Sequence, residues 1–392
     1  MTRVDLGDLR FDEGAHLLVK RALGALAVGE ALELRSGVED MDVPLRAWAR
    51  AEGHALRIDG RGGSFILDKG RAESGRWQGS ERAGVPGAVV RKPPGHWGLA
   101  ARGARVEAGM PEFGFRLADR SVVWADEAHR LYQQAAAAQW DPATAIDWDT
   151  PFELPEEIED AVVQVMTYLI ENETAALVVP ARFLAQLHPH FREVMQLLAI
   201  QTADEARHIE VFTRRATLRR DRLGLSTVGG QASLKTLIDE PDFAIASFLL
   251  SVMGEGTFLT LLRFLEQHAP DPVTRSVTRL AAADESRHVA FGVAHLRESV
   301  RSDPGMLERL ARSVDARHDA LRQTSGLNEE VLDALVLLAA GGWEHARLRQ
   351  GSRKVETLIA DMDAGRQTQL RRIGFDDEAS RALSRLHTRN FM

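Results

Sequence analysis

The string Asp-Glu-x-Arg-His occurs twice, at 204–208 and 284–288, with an offset of 80 residues. Each copy contains Glu-x-x-His. On a helix, residues three apart lie one turn above each other on the same face. Glu205 and His208 therefore converge on one point, as do Glu285 and His288. The flanks repeat as well. Residues 182–189 read RFLAQLHP and residues 263–270 read RFLEQHAP, and an apolar helical run carrying glutamate precedes each, in ENETAALVV and GEGTFLTLL. Such self-similarity marks a duplicated supersecondary unit. The unit here is a helical hairpin. Two of them close into a four-helix bundle, each turning one lone glutamate and one Glu-x-x-His inward.

In the second hairpin the lone glutamate is Glu255, the single acid in its apolar run. In the first, Glu171 and Glu173 compete. Helical phase favours Glu173, which shares a face with Val162, Met166, Leu169 and Leu177. Repeat alignment agrees: Glu173 lies 10 residues before Phe183, Glu255 lies 9 before Phe264, and Glu171 would lie 12 before. Carboxylates with imidazole suit iron and manganese, and four glutamates match the charge of two divalent ions. Burying them without metal would require several to take up protons. Asp204 and Asp284 are placed to receive the second ring proton of a ligating histidine, each from the other motif, and Arg207 and Arg287 to pair with those aspartates.

Composition removes the alternatives. The chain has 392 residues and no cysteine, which excludes disulfides, iron–sulfur clusters, thiolate zinc and cysteine nucleophiles. Any metal must be held by His, Asp or Glu, and a cytoplasmic setting is expected. The net charge of -8, without a long basic run, argues against nucleic acid. The N-terminus lacks the apolar core of a signal peptide. The stretch 243–265 is long enough to span a bilayer. Glu255 in its middle would be costly in lipid, and a helix apolar on all sides is what the centre of a large bundle needs. No membrane association is expected.

Four regions are expected. Residues 1–70 read as a small α/β domain, with helices at 17–31 and 42–54 and strands at 31–37 and 64–70. Residues 71–124 are a Gly/Pro-rich connector with β-hairpins around GAVVRK and FGFRLAD. Residues 125–303 form the bundle, with helices at 126–141, 156–186, 190–222, 242–268 and 272–301. Residues 304–392 are a helical extension, with helices at 306–324, 328–350 and 353–373. The fold class is mainly α.

Residues of about 125–301 resemble the ferritin-like di-iron carboxylate superfamily. It includes bacterial multicomponent monooxygenase hydroxylases, arylamine N-oxygenases, the ribonucleotide reductase small subunit and bacterioferritin. The resemblance rests on the two Asp-Glu-x-Arg-His strings. It implies a centre of two Fe ions, with Mn/Fe also compatible, held by Glu173, Glu205, His208, Glu255, Glu285 and His288 and activating O₂. Residues 3–70 look like the small sulfur-carrier domain of the TusA type, through LRFDEG, AVGEALEL and VPLRAWARAEGHAL. Phe11 stands where that family has its reactive cysteine and Asp12 where it has proline, so sulfur transfer is lost and docking, dimerisation or substrate covering remains.

The leading functional expectation is an oxygenase or oxidase acting on a small organic substrate. No flavin or nicotinamide motif is visible, so electrons come from an external donor, and a homodimer is one assembly compatible with the chain. The alternative is a non-catalytic iron-oxidising and storage protein, and the third reading is an interaction protein. His188, His190 and His268, in the turns, read as surface or capping residues. Tyr168 reads as a packed core residue, and Trp140 and Trp148 as anchors of the entry helix. Gly254 and Gly256 around Glu255 mark room for substrate, close packing or a helix distortion.

Overall fold

The structure is a computed structural model that describes residues 2–58, 63–71, 77–322 and 329–387. The chain divides into two compact units, Met1–Ala88 with His96–Phe113, and Val89–Gly95 with Gly114–Met392.

The first unit holds β1 (Thr2–Asp5), α1 (His16–Gly24), β2 (Ala31–Arg35), α2 (Asp42–Ala51), β3 (Ala55–Ile58) and β4 (Ser64–Asp68). They form a sheet of order β1-β2-β4-β3, with β1 parallel to β2 and the other pairs antiparallel. Alternation along β2 buries Leu32 and Leu34, which sit opposite Leu67 and Phe65 of β4. Val19 and Leu23 of α1 and Leu45 and Ala49 of α2 complete this core. A π-helical turn (Phe11–Ala15) leads into α1, and Gly14 at φ 111° supplies a kink that a side chain would oppose.

The hairpins expected in the connector are reduced to β5 (Glu81–Arg82) paired with β6 (Arg105–Val106). GAVVRK and FGFRLAD are irregular, with only the isolated bridges Val85–Ala88 and Leu117–Leu187. In the second unit their backbone groups bond elsewhere. Val90 N donates to His190 Nε2, Arg120 N to Arg91 O, and His188 N to Leu117 O.

The second unit is helical: α3 (Arg120–Val123), α4 (Ala128–Ala137), α5 (Glu156–Leu184), α6 (Arg192–Ala216), α7 (Val228–Ile238), α8 (Phe243–Ser247), α9 (Glu255–Gln267), α10 (Pro272–Ser302), α11 (Met306–Leu321), α12 (Glu329–Ala340), α13 (His345–Ile373) and α14 (Asp377–His387). Between α8 and α9 the helix runs through a π-helical stretch (Phe248–Gly254) without leaving the bundle. Local signals explain the helix starts. α5 follows Pro155 and carries Glu156, Glu157 and Glu159 in its first turn, at the positive end of its dipole. Asp271 caps α10 by accepting from Thr274 N at 2.7 Å, with Pro272 next. The duplicated hairpins are α5–α6 and α8/α9–α10, and α12 and α13 pack against α5 and α9.

Several expected boundaries shift. α6 ends at Ala216 rather than 222, and the short α7 was not anticipated. The helix expected at 328–350 is cut at Gly341 and Gly342, where φ is 67° and 159°, and α13 then runs unbroken through 353. The end of the helix expected at 306–324, and residue 328, lie outside the described residues. Two helices are long and apolar enough to cross a membrane, Glu156–Leu184 and Phe243–His268, and both are bundle-core helices buried mostly by their neighbours.

The apolar interior of the bundle falls into two clusters. One gathers Ala176, Phe183, Leu197, Leu198, Phe248, Met253, Phe291 and Leu296. The other gathers Val162, Met166, Leu169, Val211, Phe212, Phe258, Leu261, Val277 and Ala281. On each of the four core helices the candidate ligands fall between the stretches that feed the two clusters. A polar waist separates two dry cores.

Candidate metal centre

The waist brings together all six candidate ligands. Glu173 of α5, Glu205 and His208 of α6, Glu255 of α9, and Glu285 and His288 of α10 are all buried. Their donor atoms fall into two sets, Glu173 with Glu205, His208 and Glu285, and Glu205 with Glu255, Glu285 and His288. Within each set the donors lie within 4.8 Å of one another. Glu205 and Glu285 belong to both sets, as bridging carboxylates would. Each has one oxygen toward each histidine. His208 Nδ1 is 3.3 Å from Glu205 Oε2 and 3.4 Å from Glu285 Oε1. His288 Nδ1 is 3.0 Å from Glu205 Oε1 and 3.4 Å from Glu285 Oε2. Of the two acids in competition on α5, Glu173 is the one in the interior, and Glu171 is only partly buried.

The outer nitrogens of both histidines face the aspartates. His208 Nε2 lies 3.2 Å from Asp284 Oδ2, and His288 Nε2 lies 3.3 Å from Asp204 Oδ2. Each aspartate thus serves the histidine of the other motif. A proton on Nε2 donated to the aspartate leaves the Nδ1 lone pair facing the glutamates. Arg207 Nη2 joins both aspartates, at 2.5 Å from Asp204 and 2.9 Å from Asp284, and Arg287 pairs with Asp284. Both aspartates are held below the ordinary carboxylate range: burial opposes this, and the facing histidines, with Gln139 or Arg207 and Trp140, outweigh it.

Electrostatics of the six donors show what the waist demands. Burial, and then Glu205, push the Glu173 carboxyl well above its ordinary range. Burial, and then Glu285, do the same to Glu255. Glu205 is held well below: burial opposes its ionisation, and the His288 charge beside it prevails. For both histidines burial disfavours the charged ring, yet the neighbouring glutamates, Glu173 for His208 and Glu205 for His288, raise them well above their ordinary value. Protons are the counter-charges that remain to such a cluster when cations do not supply them.

The residues fit a pair of metal ions. Both oxygens of Glu205 and of Glu285, one oxygen each of Glu173 and Glu255, and His288 Nδ1 are buried and make no well-formed hydrogen bond. Buried unsatisfied polar atoms are rare, and here they point at one another. Oxygen and nitrogen donors without thiolate suit iron or manganese.

Sequence reasoning missed four contributors. Gln201 Nε2 donates to Glu255 Oε1 at 3.2 Å. It sits one turn before Glu205, so its helical phase was a usable signal. Gln139 Nε2 donates to Asp204 at 2.8 Å, and its oxygen accepts from Arg207 at 2.6 Å. Asn172, with Ala176 and Phe258, lines a cavity of about 10 Å³ bounded by Glu173, Glu255 and Glu285 and by neither histidine. Ser251, on the π-helical stretch, lies beside the Glu255 carboxyl. Trp140 does more than anchor a helix: its Nε1 donates to Asp284 at 2.8 Å, and the Arg207 guanidinium stacks 4.6 Å over its ring.

The inter-helix histidines correct one expectation. His188 and His190 are buried, not on the surface, because the irregular strand segments bond to them. The capping half of the expectation holds, since His188 Nδ1 accepts from His190 N at 3.1 Å. His268 is half-buried, and Tyr168 is a buried core residue.

Among solved structures, a variant of an R2-like ligand-binding oxidase with an aerobically reconstituted Fe/Fe cofactor matches at TM-score 0.50 and 18% identity, over 64% of this chain and 94% of that one. The fold is ferritin-like. Two other variants of R2-like ligand-binding oxidase, with Mn/Fe cofactors, match at TM-scores of 0.49 and 0.47 and identities of 18% and 20%, over 64% and 65% of this chain and 94% of theirs. No family model and no curated protein matches the chain.

Proposed function

We propose that this ferritin-like chain is a non-haem di-iron oxidoreductase that activates O₂ and acts on a small organic substrate. The observation that carries the reading is the pair of buried donor sets sharing Glu205 and Glu285. One ion would be held by Glu173, Glu205, His208 and Glu285, the other by Glu205, Glu255, Glu285 and His288. The solved structures of similar fold are described as oxidases with Fe/Fe or Mn/Fe cofactors, which supports either pair. When bound, two redox-active ions supply the electrons that O₂ requires and the oxidising power that the substrate meets.

The chain's own residues prepare that site. Asp204 and Asp284 hold the ring protons on Nε2 and keep Nδ1 aimed inward. Arg207 donates to both aspartates and holds them in place. Gln201 orients Glu255. The cavity beside Glu173 and Glu255, at about 10 Å³, is at the lower limit for one water molecule, so a substrate would reach the centre through movement around Phe258 or the π-helical stretch. Phe11 leaves the TusA-like pattern without its reactive cysteine, and a docking, dimerisation or substrate-covering role remains for the N-terminal unit. A cytoplasmic setting belongs to the same proposal.

The small cavity also favours a second reading, oxidation of iron for storage without an organic substrate. Metal analysis of protein from iron-supplemented culture, followed by O₂ uptake of the reduced form and a sizing column, separates the two. About two iron per chain with O₂ consumption beyond one metal oxidation, from a small oligomer, supports the enzyme. A cage that loads many iron atoms per chain supports storage. Less than half a metal per chain after anaerobic loading defeats both.

A further inference from the structure

A groove of about 560 Å³ crosses the outer face of α10. Arg130 of α4, Arg263 of α9, Arg297 of α10 and Arg372 of α13 line it, with Glu127 as its one carboxylate among the described residues. Leu259, Val289 and Val293 add apolar side chains to the lining. None of the four guanidiniums pairs with a carboxylate among the described residues. Their side-chain hydrogen bonds are those of Arg130 to Gln134 and of Arg372 to Gln369. In a chain of net charge -8, four arginines from four helices beside one glutamate give this groove a net positive lining. The position of the groove adds a second argument. Ser286 and Val289, which line it, directly follow Glu285 and His288 in sequence. The helix that lines the groove outside carries two of the six candidate metal donors inside.

We propose that this groove is the docking site of an acidic electron-transfer protein. The inference rests on the di-metal reading for its purpose, though not for its binding chemistry. Arginines spread over four helices match an acidic protein surface better than one small anion. Docking there places a donor one helix thickness from the centre. The transfer is one electron from the partner's reduced cluster to an oxidised metal ion: the partner is oxidised and the ion reduced.

The test uses a strongly acidic [2Fe–2S] ferredoxin as probe. Labelled ferredoxin is titrated with the metal-free full chain at low ionic strength and followed by anisotropy. Wild type is expected to bind, and binding to weaken as salt rises. Arg263→Glu/Arg297→Glu is expected to weaken it by ~10-fold or more. Arg275→Glu/Arg279→Glu makes the same change in net charge on exposed residues outside the groove and is expected to leave affinity within about twofold. With metal loaded, the groove variant should slow reduction by ferredoxin and leave reduction by methyl viologen radical unchanged. Three results overturn the proposal: no ferredoxin binding by wild type, equal affinity of wild type and groove variant, or equal loss in the control variant. Loss of decanoate binding in the groove variant with ferredoxin binding intact would make the groove a small-molecule site and overturn it too. A chain that takes up no metal but still docks ferredoxin through the groove would count against the di-metal reading alone.

Discussion

Asp204 reaches across the bundle to His288, with Oδ2 3.3 Å from Nε2, rather than to the histidine of its own motif. Asp284 makes the reciprocal contact to His208. The two copies of the motif therefore complete each other, and neither hairpin alone holds an oriented histidine.

Asp204→Asn tests that exchange. An amide can present its NH₂ to Nε2 and turn the ring's proton inward, which spoils Nδ1 as a donor. Metal affinity is expected to fall by about 10–100-fold with little change in the metal-free melting temperature. Calorimetric titration with Fe(II) or Mn(II) reads the first quantity and thermal melting the second. Wild-type affinity in the variant would remove the orienting role.

Arg215 is fully buried and ties three helix ends together. It donates to Glu159 Oε1 at 2.6 Å on α5 and to Asp271 Oδ2 at 2.8 Å before α10. Arg215→Met leaves two buried carboxylates facing each other and is expected to cost about 3–5 kcal/mol in denaturant unfolding. Adding Glu159→Gln and Asp271→Asn should recover much of the loss. If the triple variant is no better than the single one, the cost lies in packing rather than charge.

His295 sits between Phe243 and Phe291, its Nδ1 3.3 Å from Trp124 O. Burial depresses it from 6.5 to about 4. The unfolded chain then binds the proton more readily than the folded one between those values, so stability is full above about pH 6.5 and is lost as pH falls toward 4. At pH 5 the loss is about 2 kcal/mol relative to pH 7.5. Unfolding of His295→Phe should lack that part of the pH dependence. An unchanged profile would place the acid sensitivity elsewhere.

Gly292 lies against the π-helical stretch, where an added Cβ would stand 2.5 Å from Ser251 Cβ. Gly292→Ala is expected to cost about 1–3 kcal/mol through overpacking. It should also displace the segment that leads into Glu255 and lower the occupancy of the ion assigned to Glu255 and His288. Ser251→Gly added to it should restore both, measured by denaturant unfolding and metal content. Full occupancy in the single variant would show that the segment yields without moving Glu255.

Much of this centre is legible in the sequence because its geometry is local. Glu-x-x-His needs only helical pitch to aim two side chains together, and the repeat supplies the second copy. Glu173 separates from Glu171 by helical phase and by its register in the repeat. Gln139 and Trp140 are different. They leave the end of α4 and reach Asp204 and Asp284 across 65 and 144 residues, a closure that no short period encodes. The strands β1 and β3 escape notice for a related reason: runs of four residues are too short to show a period, and they become strands because β2 and β4 offer edges. The irregular segment around Val90 reads as strand, yet its N–H goes to His190, a partner 100 residues away.

The polar waist between two apolar clusters makes metal supply a folding variable. At mid-bundle, where the two cores would otherwise merge, protons neutralise Glu173 and Glu255, and bound cations would displace those protons and draw all four helices together. At metal concentrations ~100 times the dissociation constant, mass action adds about 2.7 kcal/mol per ion. Most proteolysis acts on the opened chain, so the lifetime of this protein in a cell is expected to lengthen when iron is plentiful and shorten under chelation, with no change in its synthesis.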